Sequence, residues 1–72
     1  MTRLVSTTDF GALIKTERKH QGLTQTELAG LSGIGITFLS QLENGKETAE
    51  IGKALNVLAT LGIDLFAESR SA

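Results

Sequence analysis

Residues 22–46, GLTQTELAGLSGIGITFLSQLENGK, read as two short amphipathic helices joined by a glycine-containing turn and closed by Asn44-Gly45. In the first helix Leu23, Leu28, Ala29 and Leu31 fall on one face at the helical period, while Thr24, Gln25 and Glu27 stay outside it. Gly33 interrupts the pattern. Beyond it Ile34, Phe38, Leu39 and Leu42 recur at spacings of three and four, which packs a second helix against the first. The opposite face of that second helix is Ile36, Thr37, Ser40 and Gln41. A helix meant only for solvent usually carries Lys and Glu. This one offers hydroxyl and amide groups that both donate and accept, the types suited to base edges in a DNA groove.

On the amino-terminal side, a helix is expected from about Thr7 to Gln21, capped by Ser6, with Asp9 as a weak capping-box partner and Phe10, Leu13 and Ile14 as its core face. Gly22 stands where a left-handed C-terminal cap belongs. On the carboxyl side a fourth helix from about Glu50 to Leu61 is expected to bury Ile51, Ala54, Leu55, Leu58 and Leu61, with Gly62 closing it. The chain contains no proline.

Seventy-two residues support one core and little else, and a domain this small usually needs a metal, a disulfide or a partner. The absence of cysteine excludes disulfides, and a lone histidine, His20, argues against a structural metal site. Association with a second chain is the support that remains. With so few nucleophile, base and metal combinations an enzyme is not expected, and no cofactor is implied; Glu17 and His20, one turn apart, read as a surface pair. No stretch has transmembrane length and no continuous apolar leader opens the chain, so a cytoplasmic protein that does not enter a membrane is expected.

The net charge of −1 is unusual for a protein that meets phosphates. It divides unevenly. Residues 1–46 hold five cationic side chains against four acidic ones, a balance of +1, whereas residues 47–72 hold Lys53 and Arg70 against Glu47, Glu50, Asp64 and Glu68, a balance of −2. The acidic excess therefore lies away from the second helix of the pair, where it either faces a basic partner or keeps that side soluble.

TQTELA, then a glycine, then ITFLSQLENGK resembles the Xre and lambdoid-repressor family of helix-turn-helix proteins, over roughly residues 10–62. The family pattern has Gln at the start of its second helix, a small residue five positions into that helix, and an E-x-G-K/R closure of the third; Gln25, Ala29, Glu43, Gly45 and Lys46 match. Ala29 has a steric reason, because a larger side chain would push apart the crossing helices. The resemblance implies a mainly all-α, lambda-repressor-like bundle of four to five helices forming a single domain over residues 1–72, with the helix-turn-helix at about 24–44. It also implies a partly buried structural ion pair between Arg18 and Glu43, whose fork and carboxylate geometries suit each other.

Contacts to DNA sort into positioning and reading. Thr24 and Gln25 open the second helix, where free backbone amides and the helix dipole favour phosphate, and Asn44 and Lys46 follow the third helix toward another stretch of backbone. Asn44 also serves as a turn residue. Thr37 and Gln41, one turn apart, are expected to contact bases, with Ser40 beside them and Ile36 against a thymine methyl. Gly35 and Ile36 stand where the family often has Ser, Thr or Gln. Lys15 and Lys19 form either a further phosphate contact or a solvated stripe.

Beyond Gly62 the period changes from helical to alternating. Residues 63–68 read as a short strand with Ile63, Leu65 and Ala67 on one side and Asp64, Phe66 and Glu68 on the other. A lone strand invites its own copy on a second chain. Ile63, Leu65, Phe66 and Ala67 are thus the expected dimerisation residues, and a twofold axis would set two reader helices about 34 Å apart for the half-sites of a palindromic double-stranded operator. Arg3-Leu4-Val5 offers either a further strand or a frayed end. A helix-turn-helix core followed directly by such a strand resembles the HipB-type antitoxins, which implies a homodimeric autorepressor that binds a HipA-type kinase toxin. Two alternatives stand beside it: an Xre-type repressor with no toxin, and a helix-turn-helix used only for protein interaction.

Overall fold

The computed structural model describes residues 2–47 and 50–71. Four helices follow one another: α1 (Thr7–His20), α2 (Gln25–Ser32), α3 (Ile36–Glu43) and α4 (Ile51–Thr60). Local chemistry sets where each begins. Ser6 caps α1 by accepting the Asp9 N–H at 3.2 Å, while the Asp9 carboxylate accepts from Val5 N–H rather than closing back on Ser6. The reciprocal capping box occurs instead at α2. Thr24 Oγ1 accepts the Glu27 N–H and Glu27 Oε1 accepts the Thr24 N–H, at 3.1 and 2.9 Å.

One device ends all four helices. A glycine with φ between 68° and 80° follows the last turn, at Gly22, Gly33, Gly45 and Gly62. Its N–H and that of the next residue bond back to carbonyls inside the helix, as in Gly45 N–H to Leu42 and Lys46 N–H to Gln41.

The core gathers Ile14 from α1, Leu28 and Ala29 from α2, Leu39 and Leu42 from α3, and Ala54, Val57, Leu58 and Leu61 from α4 and its cap. Phe10, Leu13, Leu23, Ile34, Phe38 and Ile63 pack against it. Three expected core positions lie outside. Leu31 is 67% exposed because the inward line of α2 runs through Leu28, Ala29 and Ser32, one step round from the face that periodicity suggested. The Asn56 side chain of α4 donates to the Ser32 carbonyl and holds that rotation. Ile51 and Leu55 are exposed because α4 turns Ala54, Val57 and Leu58 inward, and Val57 belongs to the core in their place.

Helices α1 and α3 meet at unusually short range. A Cβ on Gly11 would fall on the Leu42 carbonyl oxygen and 2.7 Å from that of Glu43, so only glycine lets the two backbones approach this closely. Thr7 Oγ1 donates to the Gly45 carbonyl at 2.7 Å and fixes the start of α1 against the end of α3. Among the described residues there is no strand. Residues 63–69 form no regular element in the single chain: Ile63 packs on the core, whereas Leu65 and Phe66 are exposed. No helix among the described residues is long and apolar enough to cross a membrane.

Candidate nucleic-acid interface

Helix α3 divides cleanly. Leu39, Leu42 and Glu43 are buried, Phe38 and Ser40 are half-buried, and Ile36, Thr37 and Gln41 face outward. Of the four residues expected to read bases, three therefore stand free on one face and Ser40 sits at its edge. The N-terminus of α3 follows Gly35 and has no side-chain cap, so nothing competes there for its first amides.

Beneath α3 lies a buried polar network. Arg18 Nε donates to Glu43 Oε2 at 2.7 Å and Nη2 to Oε1 at 2.9 Å, a bidentate pair, while Nη1 donates to the Leu23 carbonyl at 2.8 Å. The two side chains are only 8% and 1% exposed. Hydrogen bonding to Glu43 raises the Arg18 pKa further above its ordinary value. Gln25 completes the network by donating from Nε2 to Glu43 Oε1 at 3.1 Å. This bond joins the first residue of α2 to the last of α3, so the Glu43 carboxylate ties the two helices together beside their shared apolar core.

The same bond bears on phosphate positioning. The Gln25 side chain points inward to Glu43, which leaves its backbone N–H and that of Thr26 as the α2 donors not engaged by the capping box. Thr24 accepts the Glu27 N–H on its side-chain oxygen. The Thr24 backbone N–H, and then its side chain, hold the exposed Glu27 carboxyl below the usual carboxylate range. At the other end of α3, Asn44 is the C-cap with an exposed side chain, and Lys46 is exposed just beyond Gly45. Asn44 and Lys46 thus follow the C-terminal end of α3, and the Gln25–Glu43 bond brings the start of α2, with Thr24, to that same end. Lys15 and Lys19 lie exposed on α1. Among the described residues no group of His, Cys, Asp or Glu side chains converges as a metal site would.

Two contributors escaped the sequence reading. The Thr24-x-x-Glu27 spacing is itself a capping-box signal, visible without coordinates. Lys53 of α4, whose ammonium lies 5.4 Å from the centre of the Phe38 ring, had no signal, because that contact exists only once α3 and α4 are packed.

The helix-turn-helix family model matches residues 14–66, an interval that contains the α2–α3 unit and the Arg18–Glu43 pair beneath it. The chain belongs to the Xre-type helix-turn-helix family. It is 52% identical over 67 residues to the uncharacterized HTH-type transcriptional regulator y4mF of Sinorhizobium fredii, covering 90% of this chain and 88% of that protein. It is 38% identical over 56 residues to the ImmF control region 10 kDa protein of Bacillus phage phi105, covering 78% of this chain and 62% of the phage protein. In three dimensions it resembles a chain of a HipA-HipB-O2-O3 complex, with a TM-score of 0.87, 24% identity, and 99% of this chain and 100% of that chain covered. At that identity the likeness speaks to the fold. The helix-turn-helix family is one of DNA-binding transcriptional regulators and not a class of enzymes.

Proposed function

We propose that this helix-turn-helix regulator is a dimeric repressor that reads a palindromic operator through Ile36, Thr37, Ser40 and Gln41, positioned by phosphate contacts at Thr24, Gln25, Asn44 and Lys46. The observation that carries the reading is the division of α3. Its inner side is locked by Leu39, Leu42 and the Glu43 network, while on its outer side the Thr37 and Gln41 side chains form no hydrogen bond among the described residues. Preorganised outward donors and acceptors on a rigid helix are what base recognition requires. In this reading Gln25 positions phosphate through its backbone N–H, because its side chain is tied to Glu43. Arg18 and Glu43 act structurally.

Dimerisation is assigned to the tail. Ile63 anchors it to the core, while Leu65 is half exposed and Phe66 is 78% exposed among the described residues. Pairing of residues 63–68 with their copy about a twofold axis covers them and places two α3 helices on successive major-groove faces. The likeness to a chain from a HipA-HipB-O2-O3 complex supports an antitoxin role beside a HipA-type kinase. The relative from a phage control region favours a second reading, a repressor with no toxin.

Binding of the purified chain to DNA from its own promoter and to an unrelated duplex, across a salt series with stoichiometry recorded, tests the main reading. Two chains per site, with preference for the promoter and weakening as salt rises, is the expected result. Equal weak binding to both duplexes, or none, would leave a helix-turn-helix used for protein contacts. Co-purification with a kinase encoded beside the gene separates the antitoxin from the lone repressor.

A further inference from the structure

Lys53 stands on the polar side of α4, with its ammonium 5.4 Å from the centre of the Phe38 ring and 2.8 Å from Glu50 Oε2. Phe38 belongs to α3 and follows Thr37 directly. A depression lined by Phe38, Gln41, Leu42, Lys46, Glu47 and Glu50 joins this ring to Gln41 of the outer face of α3. Gln41 therefore has Lys46 near the end of its helix and the Glu50–Lys53 pair on the α4 side. The ring face holds the ammonium beside α3, which a freely solvated lysine would lack.

That placement has a consequence for any duplex seated on Thr37 and Gln41. The major groove is about 12 Å wide and an α-helix with its side chains is about 10–12 Å across, so the phosphates of the groove wall stand close against the flanks of the inserted helix. An ammonium fixed on the flank of α3 meets that wall. Its partner in the free protein is a carboxylate at a half-exposed position, and exposed ion pairs are weak enough to exchange. We infer that Lys53 is a DNA-backbone contact on the α4 side of α3, and that Glu50 is its counter-ion in the free protein, displaced by a phosphodiester oxygen on binding. The inference rests on the DNA-reading function proposed above and extends the phosphate-positioning set to a helix outside the helix-turn-helix.

Lys53→Met keeps an unbranched apolar stem over Phe38 and removes the charge, so binding is measured for it, for Lys53→Arg and for Glu50→Gln, on promoter DNA and an unrelated duplex of equal length, over a salt series. Lys53→Met should reduce the slope of log affinity against log salt by about 1.8 in magnitude for a two-chain complex, about 0.9 for each chain, and weaken both duplexes alike, with an unchanged melting temperature; Lys53→Arg should restore the slope. Glu50→Gln should tighten both duplexes about two- to fivefold when Lys53 is present and leave affinity unchanged in the Lys53→Met background. An unaltered slope in Lys53→Met, with the wild-type chain binding in a salt-dependent way, overturns this inference alone. Failure of the wild-type chain to bind either duplex overturns it together with the proposed function.

Discussion

Where α1 meets α3, groups that leave water find their partners inside the chain: Arg18, Glu43, Gln25 and the Leu23 carbonyl answer one another, and Gly11 lets two backbones touch. Along the outer arc of α4 and the tail, Ile51, Leu55, Leu65 and Phe66 keep their apolar surface in solvent. The first region is complete in one copy of the chain, whereas the second holds the residues assigned above to pairing with another copy. The difference separates two kinds of sensitivity. Substitutions at the junction should act on stability at any protein concentration, and substitutions at the edge should act on association.

The strongest way to break the contrast is Glu43→Ala, which strands the Arg18 guanidinium in the interior. It should cost about 3 to 5 kcal/mol, read from denaturant midpoints and unchanged by dilution. Gly11→Ala comes next. Its methyl group collides with backbone atoms that cannot rotate away, and a loss of about 1 to 3 kcal/mol is expected despite the better helix propensity of alanine. Gln41→Ala should leave stability untouched and cost about 1 to 3 kcal/mol of discrimination between promoter and unrelated DNA if its contact is bidentate; equal losses on both duplexes would refute its reading role. Phe66→Ser should change the stability of the single chain by less than about 0.5 kcal/mol while shifting sedimentation toward monomer. An unshifted dimer would move the association surface elsewhere.

The smallest effect concerns acid. The Glu27 carboxyl ionises below its ordinary range when folded, so its contribution is present above that range and is lost as pH falls through the lowered value. Glu27→Gln should remove that part of the acid sensitivity of α2, seen as a shallower fall of helix signal on acidification.

The helices were legible because periodicity and stop signals agree along the sequence. Ser6, Gly22, Gly33, Gly45 and Gly62 mark boundaries that the chain obeys. Rotational phase was less legible. In an eight-residue helix, Leu28 and Leu31 fit one face on paper, and only the inward pull at Gln25 and Ser32 turns Leu31 out. In α4, of ten residues, the same ambiguity of phase hid Val57 behind Ile51 and Leu55. At the candidate interface the outward residues of α3 followed from polarity at helical spacing. Arg18 and Glu43 lie 25 residues apart, with no local signal joining them, and were paired through family resemblance. Gly11 and the Lys53–Phe38 contact had no sequence signal, since close approach belongs to two elements jointly.

The repeated glycine stop also bears on time. Each corner of the bundle is fixed by hydrogen bonds spanning only a few residues, such as Gly22 N–H to Lys19, Ile34 N–H to Ala29 and Ile63 N–H to Leu58, so the chain reverses direction before distant segments need to meet. Loops closed this locally form on the scale of about 10–100 ns, and helical bundles rich in local contacts fold in microseconds to milliseconds. With no proline to isomerise, refolding of the single chain from denaturant should be fast and run without a proline-limited slow phase.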